Sequence, residues 1–194
     1  MTDHDVYLPV DEPPRSAHRR RGDGRTGLVL GAALVAMALI AGVFYSFSVA
    51  VMPGLAGADD RTFVVTMQQI NRAIENPAFF LSFAGAVVLT ALAAELQRRH
   101  GPAVATRWIV AALVLYAIVL AVTFGINIPL NEQLDRAGDP DRISDLAQVR
   151  DRFEGPWVAA NIVRTLGSTA AVSALARALF LHGHTPADQT RSTR

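Results

Sequence analysis

The side chains best suited to chemistry stand at helical spacing within the apolar parts of the chain. At spacings of i, i+4, i+7 and i+11, one helix face is predicted to carry Trp157, Asn161, Arg164 and Ser168. Arg164 is the most informative of them, because a guanidinium keeps its charge and needs a partner where it is buried. Glu75 is the first candidate partner and Glu154 the second. For an arginine taken alone, snorkelling of the long side chain to the membrane interface is an equally good explanation.

Three further polar stripes occur in or beside the other apolar segments. They are Tyr45 with Ser48; Gln68 with Asn71 and Glu75; and Thr123 with Asn127 and Asn131. In a four-span chain all four stripes fall in the same half of the bundle, which predicts a single polar cavity in one leaflet. The alternatives are asparagines that only bridge helices and an interfacial aromatic belt containing Tyr45 and Trp157. The candidate catalytic residues are Arg164 and Asn161, and the candidate substrate-binding residues are Asn71, Glu75, Asn127, Asn131, Trp157 and Tyr45.

Four apolar segments are long enough to position these stripes as membrane-spanning helices. A helix rises about 1.5 Å per residue, so about 20 apolar residues cross a hydrocarbon core of about 30 Å. The predicted spans are residues 27–52, 77–97, 104–129 and 157–181, within a membrane domain of 27–181. Residues 1–26 are predicted to form a disordered basic tail, and residues 182–194 a polar one. The fold class is therefore an all-α, four-helix transmembrane bundle.

An amphipathic stretch precedes the second span. Residues 61–76 alternate apolar and polar side chains at helical spacing, and Asp59 and Asp60 are candidate N-caps. Pro77 follows at the start of the next apolar run. This pattern fits either one long Pro-kinked helix or a short surface helix that feeds the second span.

The distribution of arginine predicts the orientation. The N-terminal flank and the turn after the second span are Arg-rich, whereas the connection at 132–154 holds four Arg and seven acidic residues. Because basic loops remain on the cytoplasmic side, both termini are expected inside, in a multi-pass protein of the inner (plasma) membrane. No internal repeat is visible. A homo-oligomer or a partner membrane protein is compatible with the chain, and membrane lipids surround it.

Composition excludes several classes of site. The chain has no Cys, so disulfides, thiolate metal sites and cysteine nucleophiles are absent. None of the five histidines lies within a span, no carboxylate cluster has metal-ligand spacing there, and no glycine-rich phosphate loop occurs. The net charge of +1 does not indicate nucleic-acid binding. We therefore expect no metal, no tightly bound cofactor and no nucleic-acid partner.

Three separated motifs carry a family resemblance. Residues 67–77 read MQQINRAIENP, residues 127–131 read NIPLN, and residues 157–165 read WVAANIVRT. In this order they resemble the DUF1772, or anthrone oxygenase-like, family of integral membrane proteins, over roughly residues 28–181. Fungal members oxidise anthrones to anthraquinones with O2. The resemblance implies a four-helix membrane oxygenase that acts on a flat, apolar phenolic substrate without a tightly bound cofactor.

The resemblance also implies roles for individual residues. Those that match family motif positions are Asn71, Asn127, Asn131, Trp157, Asn161 and Arg164. Arg164 would stabilise a phenolate or enolate, and the asparagines would orient the ring oxygens. Many relatives carry His directly after the motif Asn of the fourth span, where this chain has Ile162. A histidine there is the natural general base for removing a proton from an anthrone carbon.

Two other functions remain open from the residues. One is a non-enzymatic membrane module that binds lipid or an apolar ligand, or an accessory subunit of a membrane complex. The other is a transporter or channel, which a single buried arginine and the absence of a repeat make the weakest of the three.

Overall fold

Seven α-helices make up most of the chain that the structure describes. In the computed structural model, residues 15–101 and 103–184 are described, so most of both predicted tails lies outside these ranges. The α-helices are α1 Arg15–Ser46, α2 Met52–Ala56, α3 Asp60–Ile74, α4 Pro77–His100, α5 Ala103–Val122, α6 Ile128–Arg136 and α7 Leu146–Gly183. Two π-helical segments, Phe47–Val51 and Thr123–Asn127, and a 3₁₀ turn at Pro140–Arg142 complete the set.

Four stretches are long and apolar enough to cross a membrane. They are Gly24–Ala56, Pro77–Arg99, Ala103–Arg136 and Leu146–Gly183. The described residues contain no strand, and the all-α fold with four candidate spans is confirmed. Two elements extend beyond their predicted limits, because α1 begins at Arg15 and α7 begins at Leu146. Part of the predicted tail and part of the loop predicted at 135–155 are therefore helical.

The four long helices form a ring. α1 packs against α4 and α7, and α5 packs against the same two helices. The centre holds large apolar side chains such as Met37, Ile40 and Leu175. Large apolar side chains such as Leu81 and Leu166 are exposed on the outside, as a surface in contact with lipid requires.

The amphipathic helix α3 closes one end of this ring. Asp59 is its N-cap and accepts from the Thr62 backbone N–H at 3.0 Å and from the Thr62 hydroxyl at 2.7 Å. These two hydrogen bonds lower the pKa of the Asp59 carboxyl. The apolar face of α3 buries Phe63, Val64 and Met67 against α6 and α7. We call α3 the roof helix.

The chain breaks between the roof helix and α4. Asn76 has extended backbone angles and N-caps α4 by accepting from the Phe79 N–H at 3.0 Å, with Pro77 in the first turn. Pro77 has no N–H to donate, which costs nothing at a helix start but would break a helix interior. Of the two predicted arrangements, the structure has the short surface helix followed by a separate span.

The π-helical segments occur at equivalent places in the two halves of the molecule. Phe47–Val51 separates α1 from α2, which contains Pro53, and Thr123–Asn127 separates α5 from α6, which contains Pro129. A proline removes a backbone N–H and clashes with the preceding turn, and one extra residue per turn relieves that clash. The sequence shows no repeat, but this element order occurs twice.

Candidate functional site

A cavity of about 260 Å³ lies beneath the roof helix. Elements from every part of the bundle line it, and its apolar wall is mostly aromatic. The aromatic lining residues are Phe44, Phe47, Phe79, Phe80, Phe83, Phe124 and Trp157. The polar lining residues are Asn71, Glu75, Thr123, Asn127, Asn131 and Arg164. Members of three of the four predicted polar stripes therefore line one cavity, whereas Tyr45 and Ser48 of the remaining stripe do not line it.

Arg164 is buried in the cavity wall, and no described residue is its counter-ion. Only 6% of the residue is exposed, so its guanidinium does not snorkel to an interface. Its Nη2 donates to Asn161 Oδ1 at 2.8 Å, and its Cζ lies 4.3 Å from the Phe44 ring centroid and 5.2 Å from that of Trp157. The two aromatic faces attract the cation but do not neutralise it.

Neither predicted carboxylate partner is paired with Arg164. Glu154 accepts from Arg150 Nε at 2.7 Å instead. Glu75 lines the same cavity, but no ion pair joins it to Arg164 among the described residues. The expectation of a Glu75 or Glu154 partner was wrong. Glu154 lies on α7 itself, but it is ten residues before Arg164, about 15 Å along the helix, and it pairs with Arg150. Glu75 lies at the end of the roof helix and makes no ion pair with Arg164 within 4.0 Å.

Asn161 hydrogen-bonds Arg164 but does not itself line the cavity. Its Nδ2 donates to the Phe44 carbonyl and to Ser48 Oγ, both at 2.9 Å, while its Oδ1 accepts from Arg164. Ser48 Oγ also lies 3.0 Å from Thr165 Oγ1. These contacts tie α7 to α1 and fix the arginine. Asn161 is a positioning residue in this arrangement rather than one that meets a ligand.

Trp157 links α7 to the second π-helical segment and to α6. Its Nε1 donates to Asn131 Oδ1 at 2.8 Å, and its carbonyl accepts from Asn127 Nδ2 at 3.4 Å. The indole is buried and lies 5.4 Å from the Phe47 ring centroid. It is part of the cavity wall rather than of an interfacial belt.

Tyr45 is the one predicted binding residue that the structure places elsewhere. It is 56% exposed and does not line the cavity. Its neighbours Phe44 and Phe47 face inward, and successive residues of a helix are about 100° apart, so Tyr45 turns toward the surface. The aromatic-belt explanation fits this residue.

The aromatic lining was missed from the sequence. Phe79, Phe80 and Phe83 directly follow the helix-starting Pro77, and Phe44 and Phe47 flank Tyr45 at i, i+3 spacing. That spacing was a usable signal. It was not decisive, because apolar side chains within a span face lipid as often as they face the interior.

Three buried polar atoms of the lining residues have no hydrogen-bond partner. They are Asn71 Nδ2, Asn127 Oδ1 and Arg164 Nε. Buried polar groups are nearly always paired in native proteins, so atoms of this kind mark places where a partner is missing. Two donors and one acceptor around one cavity suit a ligand with both acceptor oxygens and a hydroxyl.

The cavity has an exposed apolar edge on one side and adjoins a charged depression on the other. Phe80 and Phe124 line it and are 53% and 60% exposed on the outer surface of α4 and of the second π-helical segment. Asn71, Glu75 and Asn131 are shared with a second depression of about 280 Å³, which is otherwise lined mainly by charged residues of the roof helix and α6. We call this second depression the vestibule.

Across the described residues, no group of three or more His, Asp or Glu side chains could hold a metal ion.

Comparison with known proteins identifies the family. The family model described as anthrone oxygenase matches residues 71–174, which is more than half of the chain. The chain belongs to the anthrone oxygenase family. Every polar residue of the cavity lies inside the region that matches the anthrone oxygenase model, whereas Phe44 and Phe47 of the first span lie outside it. Searches of the curated proteins and of the solved structures give no match.

The structure also locates the position at which many relatives carry histidine. Ile162 is 46% exposed and does not line the cavity, because it follows Asn161 by about 100° around α7. A side chain at this position faces away from Arg164. Position 162 is therefore not part of the lining of this cavity in the anthrone oxygenase family member described here.

Proposed function

We propose that this member of the anthrone oxygenase family oxidises a flat, apolar, phenolic substrate of the anthrone type with O2. The observation that carries the proposal is the buried cation of Arg164, which has no carboxylate partner and stands in a cavity walled by aromatic rings. A buried charge of this kind is stabilised best by an anionic partner, and the described residues supply only the neutral amide oxygen of Asn161 and two aromatic rings.

The cavity suits the charge that develops during such a reaction. Loss of a proton from the methylene carbon of an anthrone leaves a carbanion whose charge moves onto the ring oxygens. A fixed guanidinium beside those oxygens stabilises the anion without reorganisation, and more strongly than water does, because the surroundings are apolar. The aromatic wall of the cavity would stack on the ring system, and the unpaired atoms of Asn71 and Asn127 would bind its hydroxyl and carbonyl groups.

The overall reaction balances without a bound redox group. The carbanion transfers one electron to O2, and the resulting radical and superoxide combine to form a carbon–oxygen bond. The peroxide takes up the first proton and becomes a hydroperoxide. The second methylene proton and the outer oxygen then leave as water while the carbonyl forms. One methylene group and one O2 thus give one carbonyl group and one water.

The position of the cavity suits a substrate that dissolves in the bilayer. The exposed rings of Phe80 and Phe124 offer an apolar edge on the lipid side, and the narrow wall excludes bulk water from the carbanion. We place the protein in the plasma membrane, with the roofed end outward, on the basis of the arginine distribution.

A non-enzymatic module that binds an apolar ligand is the second candidate. The unpartnered atoms of Asn71, Asn127 and Arg164 favour a ligand with the same acceptor oxygens and hydroxyl as the proposed substrate. Binding of such a ligand does not by itself require turnover. Binding without turnover would favour this candidate.

Oxygen consumption and quinone formation by the purified protein test the proposal. With emodin anthrone and a protein-free blank for autoxidation, we expect a rate above the blank that falls by about 100-fold or more in Arg164→Ala, the loss typical of a removed oxyanion donor. Arg177→Ala is the matched control, because Arg177 is exposed on the same helix and does not line the cavity. No rate above the blank for the wild-type protein, or an unchanged rate for Arg164→Ala, would contradict the proposal.

A further inference from the structure

The proposed reaction needs a base, and the cavity has one carboxylate. Among its lining residues, Glu75 alone carries a carboxyl group. The other polar lining groups are amides, a threonine hydroxyl that donates to the Val119 carbonyl at 2.7 Å, and the Arg164 guanidinium. None of these accepts a proton readily at neutral pH. Ile162, where relatives carry histidine, faces away from the cavity.

We propose that Glu75 is the general base that removes the proton from the substrate carbon. The inference rests on the function proposed above. The carboxylate takes the proton, and the electron pair of the broken C–H bond remains on the substrate, where the charge reaches the oxygens beside Arg164. Electron transfer to O2 then follows, as described above.

The carboxylate of Glu75 is free of the ion pairs that occupy its neighbours. In the vestibule, Asp135 accepts from Arg72 Nη2 at 2.7 Å, and Glu132 is paired with Arg136. In the part of the chain that the structure describes, no arginine or histidine pairs with Glu75. The Glu75 carboxylate oxygens are therefore not occupied by a neighbouring cation and are available to a ligand.

The backbone holds Glu75 at the mouth of the cavity. It is the C-cap of the roof helix, with φ −75° and ψ 57°, and the next residue, Asn76, caps α4. The two helices therefore fix the residue between them. Its side chain lines both the cavity and the vestibule, so it can face the substrate on one side and water on the other.

The position of Glu75 between the cavity and the vestibule gives the base two properties that the reaction uses. A flat ligand that fills the cavity lies against the carboxylate, which brings the C–H bond that is broken within reach of its oxygens. The vestibule then offers the proton a path to solvent. Among the described residues no ion pair joins Glu75 to Arg164, so each charge remains available to the substrate.

Exchange of substrate hydrogen for deuterium without oxygen tests Glu75 apart from the oxidation. Emodin anthrone is incubated in D2O under argon with purified protein, and deuterium at the methylene carbon is measured against a protein-free blank. We expect the wild-type protein to accelerate the exchange and Glu75→Gln to lose at least 100-fold of that acceleration. Glu75→Asp is expected to retain part of it, and Glu95→Gln, the same change at the opposite end of α4, to retain all of it.

Binding of the quinone product distinguishes loss of the base from loss of the binding site. It is followed by quenching of tryptophan fluorescence in a Trp108→Phe background, in which Trp157 is the remaining tryptophan. Glu75→Gln is expected to bind the quinone within about 3-fold of the wild-type affinity, because the amide fills the same space. If the wild-type protein turns over the substrate and Glu75→Gln still accelerates the exchange fully, Glu75 is not the base, and the proposed function stands. If the wild-type protein turns over the substrate but does not accelerate the anaerobic exchange, the role of Glu75 is likewise overturned and the proposed function stands. Absence of both turnover and exchange in the wild-type protein would overturn the proposed function, and the role of Glu75 with it.

Discussion

At the scale of single residues, the site depends on an arginine whose partners are neutral. Arg164 meets two aromatic rings and one amide oxygen, and its Nε has no partner. A buried charge left in this state lowers stability unless something else pairs with it. The arrangement is typical of a binding site that gives up stability to remain ready for an anion.

Asn161 decides whether that arginine is held in place. Asn161→Ala removes the acceptor for Arg164 and the donor to the Phe44 carbonyl and to Ser48, all inside the bundle. We expect the free energy of unfolding to fall by about 1–3 kcal/mol. We also expect the affinity for a phenolic ligand to fall by about 10-fold. Thermal unfolding in detergent and quenching of Trp157 fluorescence measure the two effects.

Ser173→Ala provides the comparison for that variant. The Ser173 hydroxyl donates only to the Thr169 carbonyl of its own helix and is exposed, so its loss should change neither quantity. An Asn161→Ala protein that binds the ligand like the wild type would show that Arg164 needs no such support.

At the scale of the elements, the roof helix and α7 carry the site. Gln68 is buried in the roof helix and donates to the carbonyls of Leu134 at 2.9 Å and Gly138 at 3.0 Å, which fixes the roof to the end of α6. Arg150 binds the carbonyls of Ala56 and Ala58 and fixes the turn before the roof to α7. Both contacts satisfy backbone groups that no helix pairs.

Close packing of α5 on α7 depends on one glycine. A Cβ placed on Gly167 would lie 2.8 Å from Val119 Cγ2, a buried and β-branched side chain with little freedom to move. We therefore expect Gly167→Ala to lower the free energy of unfolding by about 1–3 kcal/mol, as overpacking usually does. Thermal unfolding in detergent measures this change.

Gly42→Ala is the matched substitution for Gly167→Ala. A Cβ on Gly42 would meet nothing within 4 Å, and alanine favours a helix by about 0.5–1 kcal/mol over glycine. The two variants should therefore shift stability in opposite directions. Equal shifts would mean that the α5–α7 contact at Gly167 is looser than described.

At the scale of the whole molecule, an even number of spans brings both ends of the membrane domain to the same side. From the arginine distribution we predict that this side is cytoplasmic and that the roof helix is outside. A cavity near the outer surface would then meet substrate in the outer leaflet and water from outside the cell.

Cysteine labelling measures this orientation directly, since the chain has no cysteine of its own. Gly57→Cys lies at the roofed end and Arg99→Cys at the opposite end, and both positions are exposed. With a membrane-impermeant maleimide on intact cells, we expect labelling at position 57 and none at position 99 until the membrane is opened. The reverse pattern would invert the predicted topology.

The sequence by itself determined the four spans, the amphipathic character of the stretch before the second span and the end of the bundle at which the polar residues gather, whereas the structure decided that this stretch is a separate roof helix. The features that the sequence determined follow from hydropathy and helical periodicity, which are local properties of the chain. Only the tertiary structure decided that Arg164 has no counter-ion among the described residues and that Asn161 hydrogen-bonds it without lining the cavity. The tertiary structure also decided that Tyr45 faces outward and that Glu75 is the one lining residue with a carboxyl group. These depend on how far each helix is rotated about its axis and how close its neighbours lie. Packing between helices sets both, and no spacing along one helix encodes them.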